Sequence, residues 1–74
     1  MDEAIKEAEA AGFFWAVERN RDGVYTAVVQ RSPYYTGEAL SGPGAVGGTT
    51  PADALRSATA KELKYEAEQA SRQR

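Results

Sequence analysis

Apolar and polar positions follow three rhythms in turn along this 74-residue chain. Residues 2–11, DEAIKEAEAA, are strong helix formers, with Ala4, Ile5, Ala8 and Ala11 forming a narrow stripe of mostly small side chains at helical spacing. Asp2, Glu3 and Glu7 lie toward the end where the helix dipole favours negative charge, and Gly12 is placed to close the helix in a left-handed cap. The stripe predicts a short packing helix. The alternative use of this segment is an acidic interaction face built from Glu3, Glu7 and Glu9.

The rhythm then changes to that of strands. FFWAVERN and VYTAVVQR, within residues 13–31, are rich in aromatic and β-branched residues and are joined by Arg21-Asp22-Gly23. A two-residue Asp22-Gly23 turn would pair Trp15 with Gln30 and Val17 with Val28, mixing the faces. A three-residue loop, a type I turn ending with Gly23 in the left-handed region, pairs Asn20 with Val24 instead. Phe13, Trp15 and Val17 then share a face with Tyr25, Ala27 and Val29, while Glu18, Thr26 and Gln30 take the other. The second register separates the faces far better and is the one predicted. It leaves Phe14, Ala16 and Val28 as a small apolar patch on the otherwise polar face, expected to be covered by a loop or by the N-terminal helix, with a partner-binding patch as the alternative.

Residues 32–49, SPYYTGEALSGPGAVGGT, hold five of the seven glycines and two of the three prolines, a density that predicts turns and a flexible connection. A third strand fits either Tyr35–Leu40 or Ala45–Thr49, the latter entering a helix directly. Residues 50–70 then carry the strongest helical pattern. Thr50 is an N-cap, Pro51 suits the first helical position, and Asp53 completes a start like a capping box. Ala54, Leu55, Ala58, Glu62 and Tyr65 cluster on one side with Leu63 on the flank. Ser57, Lys61, Lys64 and Glu68 lie away from it, and residues 71–74 are expected to fray. The prediction is one α+β domain spanning 1–74, ordered α-β-β-β-α, with a three-stranded antiparallel meander packed on one or two helices.

Composition narrows what such a domain does. Fourteen of the residues are alanine, whereas Ile, Leu, Val and Phe together number only eleven, so the aromatic rings supply most of the large buriable surface. The chain has no cysteine and no histidine. That excludes disulfides, thiolate or imidazole metal sites, cysteine nucleophiles and any triad with a histidine base, and favours the cytoplasm. No apolar run approaches the roughly 18 residues that span a bilayer, and the acidic start is unlike a signal peptide. A net charge of −2 and a pI near 5.0 disfavour nucleic acid as a partner.

Catalytic chemistry finds little to use. Glu18, Glu38 and Glu62 are the carboxylates spaced widely enough to face one another across a cleft, and nothing marks any pair; Glu62 is expected to pair with Arg56 or Lys61. Gly42-Pro43-Gly44 lacks the Lys-Ser or Lys-Thr of a phosphate-binding loop. We expect no catalytic residues, no metal and no cofactor.

Two families share features with this chain. The order helix, three strands, helix resembles the double-stranded-RNA-binding domain, which grips phosphates with lysines at the start of its last helix. Here that stretch is Thr50-Pro51-Ala52-Asp53-Ala54-Leu55, with an acid and no lysine. Residues 14–66 resemble the N-terminal domain of HicB-type antitoxins: an extended run, the hairpin Asp22-Gly23-Val24-Tyr25-Thr26-Ala27, and then Gly48-Thr49-Thr50-Pro51-Ala52-Asp53-Ala54-Leu55, similar to the family's Gly-x-Thr-x-x-Glu-Ala-Leu helix entry. The chain departs from that family in its extra N-terminal helix, its long Gly-Pro-rich connection and the lack of a DNA-binding domain. The resemblance implies binding to a protein partner rather than to an operator.

The expected function is therefore a small non-catalytic protein-binding module, antitoxin- or inhibitor-like, that occludes or regulates its partner. The alternative is an accessory domain for RNA or DNA. Phe14, Tyr34 and Tyr35 are the candidate binding surface, with Arg31 as a rim charge, because exposed aromatics give large contact area at small entropy cost. The expected partner is another protein, with a homodimer as a further option, and no membrane is involved.

Overall fold

The computed structural model describes residues 2–20, 22–32 and 45–72. Helix α1 (Asp2–Ala10) leads into strands β1 (Phe14–Arg19) and β2 (Tyr25–Gln30), followed by a short β3 (Val46–Gly48) and helix α2 (Pro51–Arg72). The three strands form an antiparallel meander in the order β1-β2-β3, so the domain is α+β with the α-β-β-β-α order expected. Of the two placements for the third strand, the one adjoining the helix is occupied; Tyr35–Leu40 lies outside the described residues, as does the Gly42-Pro43-Gly44 stretch.

Local chemistry sets each boundary. Helix α1 ends in a Schellman motif: Phe13 N–H donates to Ala8 O at 3.0 Å and Gly12 N–H to Glu9 O at 2.9 Å, with Gly12 at φ 84°. The same motif turns Phe13 inward beside Ala8, and both are buried. The hairpin takes the three-residue loop. Asn20 N–H donates to Val24 O at 2.9 Å, Gly23 sits at φ 77°, and the ladder pairs Trp15 with Val29 and Val17 with Ala27. Asn20 Oδ1 accepts the N–H groups of Asp22 and Val24, each at 3.0 Å, which satisfies the turn from within. At α2, Thr50 Oγ1 accepts from Asp53 N–H at 3.1 Å, the N-cap bond that the sequence called for.

Both helices cover one face of the sheet. Ala4, Ala8, Phe13, Ala27, Val29, Ala54, Leu55 and Ala58 form the buried cluster, with Trp15, Val17, Tyr25 and Val46 at its margin. Leu55 is the one large side chain in full burial among the described residues. Gly48 lets β3 and α2 meet closely: a Cβ placed there would lie 2.6 Å from the Ala54 backbone nitrogen. Buried Thr59 turns its hydroxyl back to Leu55 O at 2.9 Å, and among the described residues no buried side-chain nitrogen or oxygen lacks a partner.

Helix α2 departs from its expected face. Its 22 residues span about 33 Å, whereas the six residues of β2 span about 20 Å, so the last turns outrun the sheet. Tyr65 is accordingly 55% exposed and Leu63 43% exposed, although the helical stripe placed Tyr65 against the core. The helix also continues through Arg72, two residues beyond the expected end.

Candidate functional site

The sheet face opposite the helices carries Phe14, Ala16, Glu18, Thr26, Val28 and Gln30, as the alternation of the ladder requires. Phe14 is 48% exposed there, held at the start of an edge strand and paired with Gln30. The expected three-residue patch is smaller than its sequence suggests. Val28 is only 5% exposed and Ala16 is half-buried, which leaves Phe14 as the exposed ring. Thr26, two residues from Val28 on the same strand and face, is half-buried.

Arg31 follows directly on Gln30, the cross-strand partner of Phe14, but its guanidinium engages the other side of the sheet. It lies 4.2 Å from the centroid of the Phe13 ring, donates to the Ala11 carbonyl, and forms a forked pair with Glu66, Nε to Oε2 at 2.9 Å and Nη2 to Oε1 at 2.6 Å. The hydrogen bond with Glu66 raises the pKa of Arg31 and holds the Glu66 carboxyl below its ordinary range. One side chain thus ties the end of β2 to the cap of α1 and to the overhanging part of α2. Tyr34 and Tyr35, the other candidate binding residues, lie outside the described residues.

The acids of α1 are engaged as well. Arg56 donates to Glu3 at 3.2 Å and to Glu7 at 3.3 Å, and does not take Glu62 as its partner. The reason is tertiary: α1 packs beside α2 and presents two carboxylates one turn apart to the same guanidinium. Glu9 Oε1 receives the indole N–H of Trp15 at 3.5 Å, the long limit of a hydrogen bond. The acidic face proposed for α1 is therefore largely internal stapling. Among the described residues, no group of three or more Asp and Glu is arranged to hold a metal ion, and no helix is long and apolar enough to cross a membrane.

The fold defines the class of a small α+β domain with two helices on one face of a three-stranded meander. Compared with known proteins, the chain matches no family model, no curated protein and no solved structure. Sequence reasoning missed the Arg31–Glu66 and Arg56–Glu3/Glu7 ties. Each joins residues at least 35 positions apart, and no local pattern marks such a pair.

Proposed function

We propose that this domain is a small non-catalytic protein-binding module that occludes or regulates a partner protein, as an antitoxin or inhibitor domain does. The observation that carries the reading is Phe14: an aromatic ring 48% exposed on the sheet face that the helices leave open. A ring fixed on a strand loses little conformational freedom on docking, and aromatic anchors dominate the energetics of protein interfaces. Tyr34 and Tyr35, which lie outside the described residues, belong to the same proposal by their place in the sequence shortly after Arg31.

The alternative, an RNA- or DNA-binding accessory domain, draws on the α-β-β-β-α order alone. Its usual phosphate-gripping position is occupied here by Thr50, Pro51, Ala52 and Asp53, and an acid at a helix N-terminus repels phosphate.

The test is affinity capture with the tagged full chain in its native host, beside the variant Phe14→Ala. The expected result is a stoichiometric protein partner held by the wild type and weakened about tenfold or more by the variant, whose circular dichroism stays unchanged. A partner retained in full by Phe14→Ala overturns the reading. So does capture of nucleic acid with a steep salt dependence.

A further inference from the structure

We infer that the β1 edge of the sheet pairs with the same edge of a second copy of this chain. β1 is an outer strand, six residues long, in continuous register, and without the proline, glycine or bulge that commonly guards an edge. The hairpin register fixes which main-chain groups point outward. Asn20 N–H bonds to Val24 O across the loop, so the even-numbered residues of β1 bond to β2, while Trp15, Val17 and Arg19 direct their N–H and C=O groups away from it. The same alternation on β2 aims Tyr25 and Ala27 at β3, where they do pair.

Charge selects the register. Two copies of β1 laid antiparallel about a two-fold axis normal to the sheet must pair residues that share a face, so the axis falls on a residue. An axis on Glu18 opposes two like charges directly. An axis on Ala16 sets Arg19 against Phe13, a ring that already carries Arg31 at 4.2 Å. An axis on Val17 sets Arg19 of the second copy opposite Trp15, whose indole N–H points at the Glu9 carboxylate 3.5 Å away. Arg19 is exposed and, among the described residues, belongs to no ion pair. Across this edge it gains a ring face and a carboxylate together, and symmetry makes the contact twice.

The product joins two three-stranded sheets into one continuous antiparallel sheet, with about six new main-chain hydrogen bonds and all the helices on one side. Phe14 stays on the opposite face, so self-pairing leaves the proposed partner surface open.

Purified full-length chain, with nothing added, tests this apart from any partner. Sedimentation velocity from about 10 µM to about 1 mM is expected to show a monomer–dimer equilibrium. Amide exchange at Val17 and Arg19 is expected to slow as the dimer fills. Arg19→Glu and Glu9→Arg each weaken the dimer about tenfold, and combining them restores it to within about threefold. Both residues are exposed charges, which keeps the fold out of the comparison. A wild type that stays monomeric over this range overturns the inference. A dimer that leaves the Val17 and Arg19 amides unprotected, or that ignores Arg19→Glu, overturns it equally.

Discussion

Two adjacent glycines in β3 are expected to answer the same substitution in opposite ways. Alternation along the strand points residue 48 at the helices and residue 47 away from them, since Gly48 pairs with Tyr25 and Gly47 with Thr26. A Cβ at Gly48 would stand 2.6 Å from the Ala54 nitrogen and 2.9 Å from its Cα. These are backbone atoms in the first turn of α2, and they have no rotamer through which to yield. The strand and the helix must separate by several tenths of an ångström, in a core where Ala54 and Leu55 are fully buried. Overpacking of this kind costs about 1–3 kcal/mol. A Cβ at Gly47 meets nothing nearer than Val24 Cγ1 at 3.6 Å, an ordinary contact. Gly47→Ala therefore restricts the unfolded chain without strain and stabilises by about 0.4–1 kcal/mol. The two variants should differ by about 2 kcal/mol or more, about 10 °C in Tm for a domain this small. Urea unfolding followed by circular dichroism reads the difference as a shift of midpoint at constant slope. Equal midpoints for Gly47→Ala and Gly48→Ala would refute the close approach of β3 to α2.

Three further substitutions probe the rest of the fold. Gly23→Ala, at φ 77°, should cost about 1 kcal/mol or more in the same urea assay, and an unchanged midpoint would disprove the left-handed loop. Leu55→Ala removes the one large, fully buried side chain among the described residues and should cost about 2–5 kcal/mol, as much as a domain of this size holds in total. Its melt should lose cooperativity, and a sharp wild-type-like melt would contradict the packing. Glu66 has its pKa lowered from 4.5 by the Arg31 hydrogen bond, so its contribution is present above that value and is lost as pH falls through the lowered one. Glu66→Gln should flatten the fall of stability with acid below about pH 4.5, and acid titrations that superimpose would dismiss the pair as a stabilising contact.

The sequence was most legible where a local rule acts alone. Gly12, Gly23 and Thr50 each fill a position whose backbone or capping demand is met within a few residues, and each stands where the pattern placed it. The hairpin register was equally readable, because the loop geometry and the separation of faces select the same pairing. Legibility ended where distant segments meet. Tyr65 follows the helical stripe faithfully, yet the stripe cannot say that the sheet beneath it stops. Gly48 is one more residue of a glycine-rich stretch in the sequence, and its special demand comes from the start of α2 packed against it. Phe14 is exposed on the face that the alternation assigns it, whereas Val28 on the same face is only 5% exposed, a difference that alternation by itself does not distinguish.

Among the described residues, five of the nine buried hydrophobic ones are alanines: Ala4, Ala8, Ala27, Ala54 and Ala58. A methyl group has no rotamers to freeze, so this interior orders with little side-chain entropy lost. It also hides little apolar area, and apolar area is the source of the heat-capacity change on unfolding. The expected consequence is a shallow stability curve: a domain with modest maximum stability that changes slowly on either side of its optimum, read in calorimetry as a small heat-capacity change on unfolding. Backbones brought to methyl-to-methyl distance have few alternative ways to fit together, so this small core holds its shape by steric definition more than by the depth of its free-energy well.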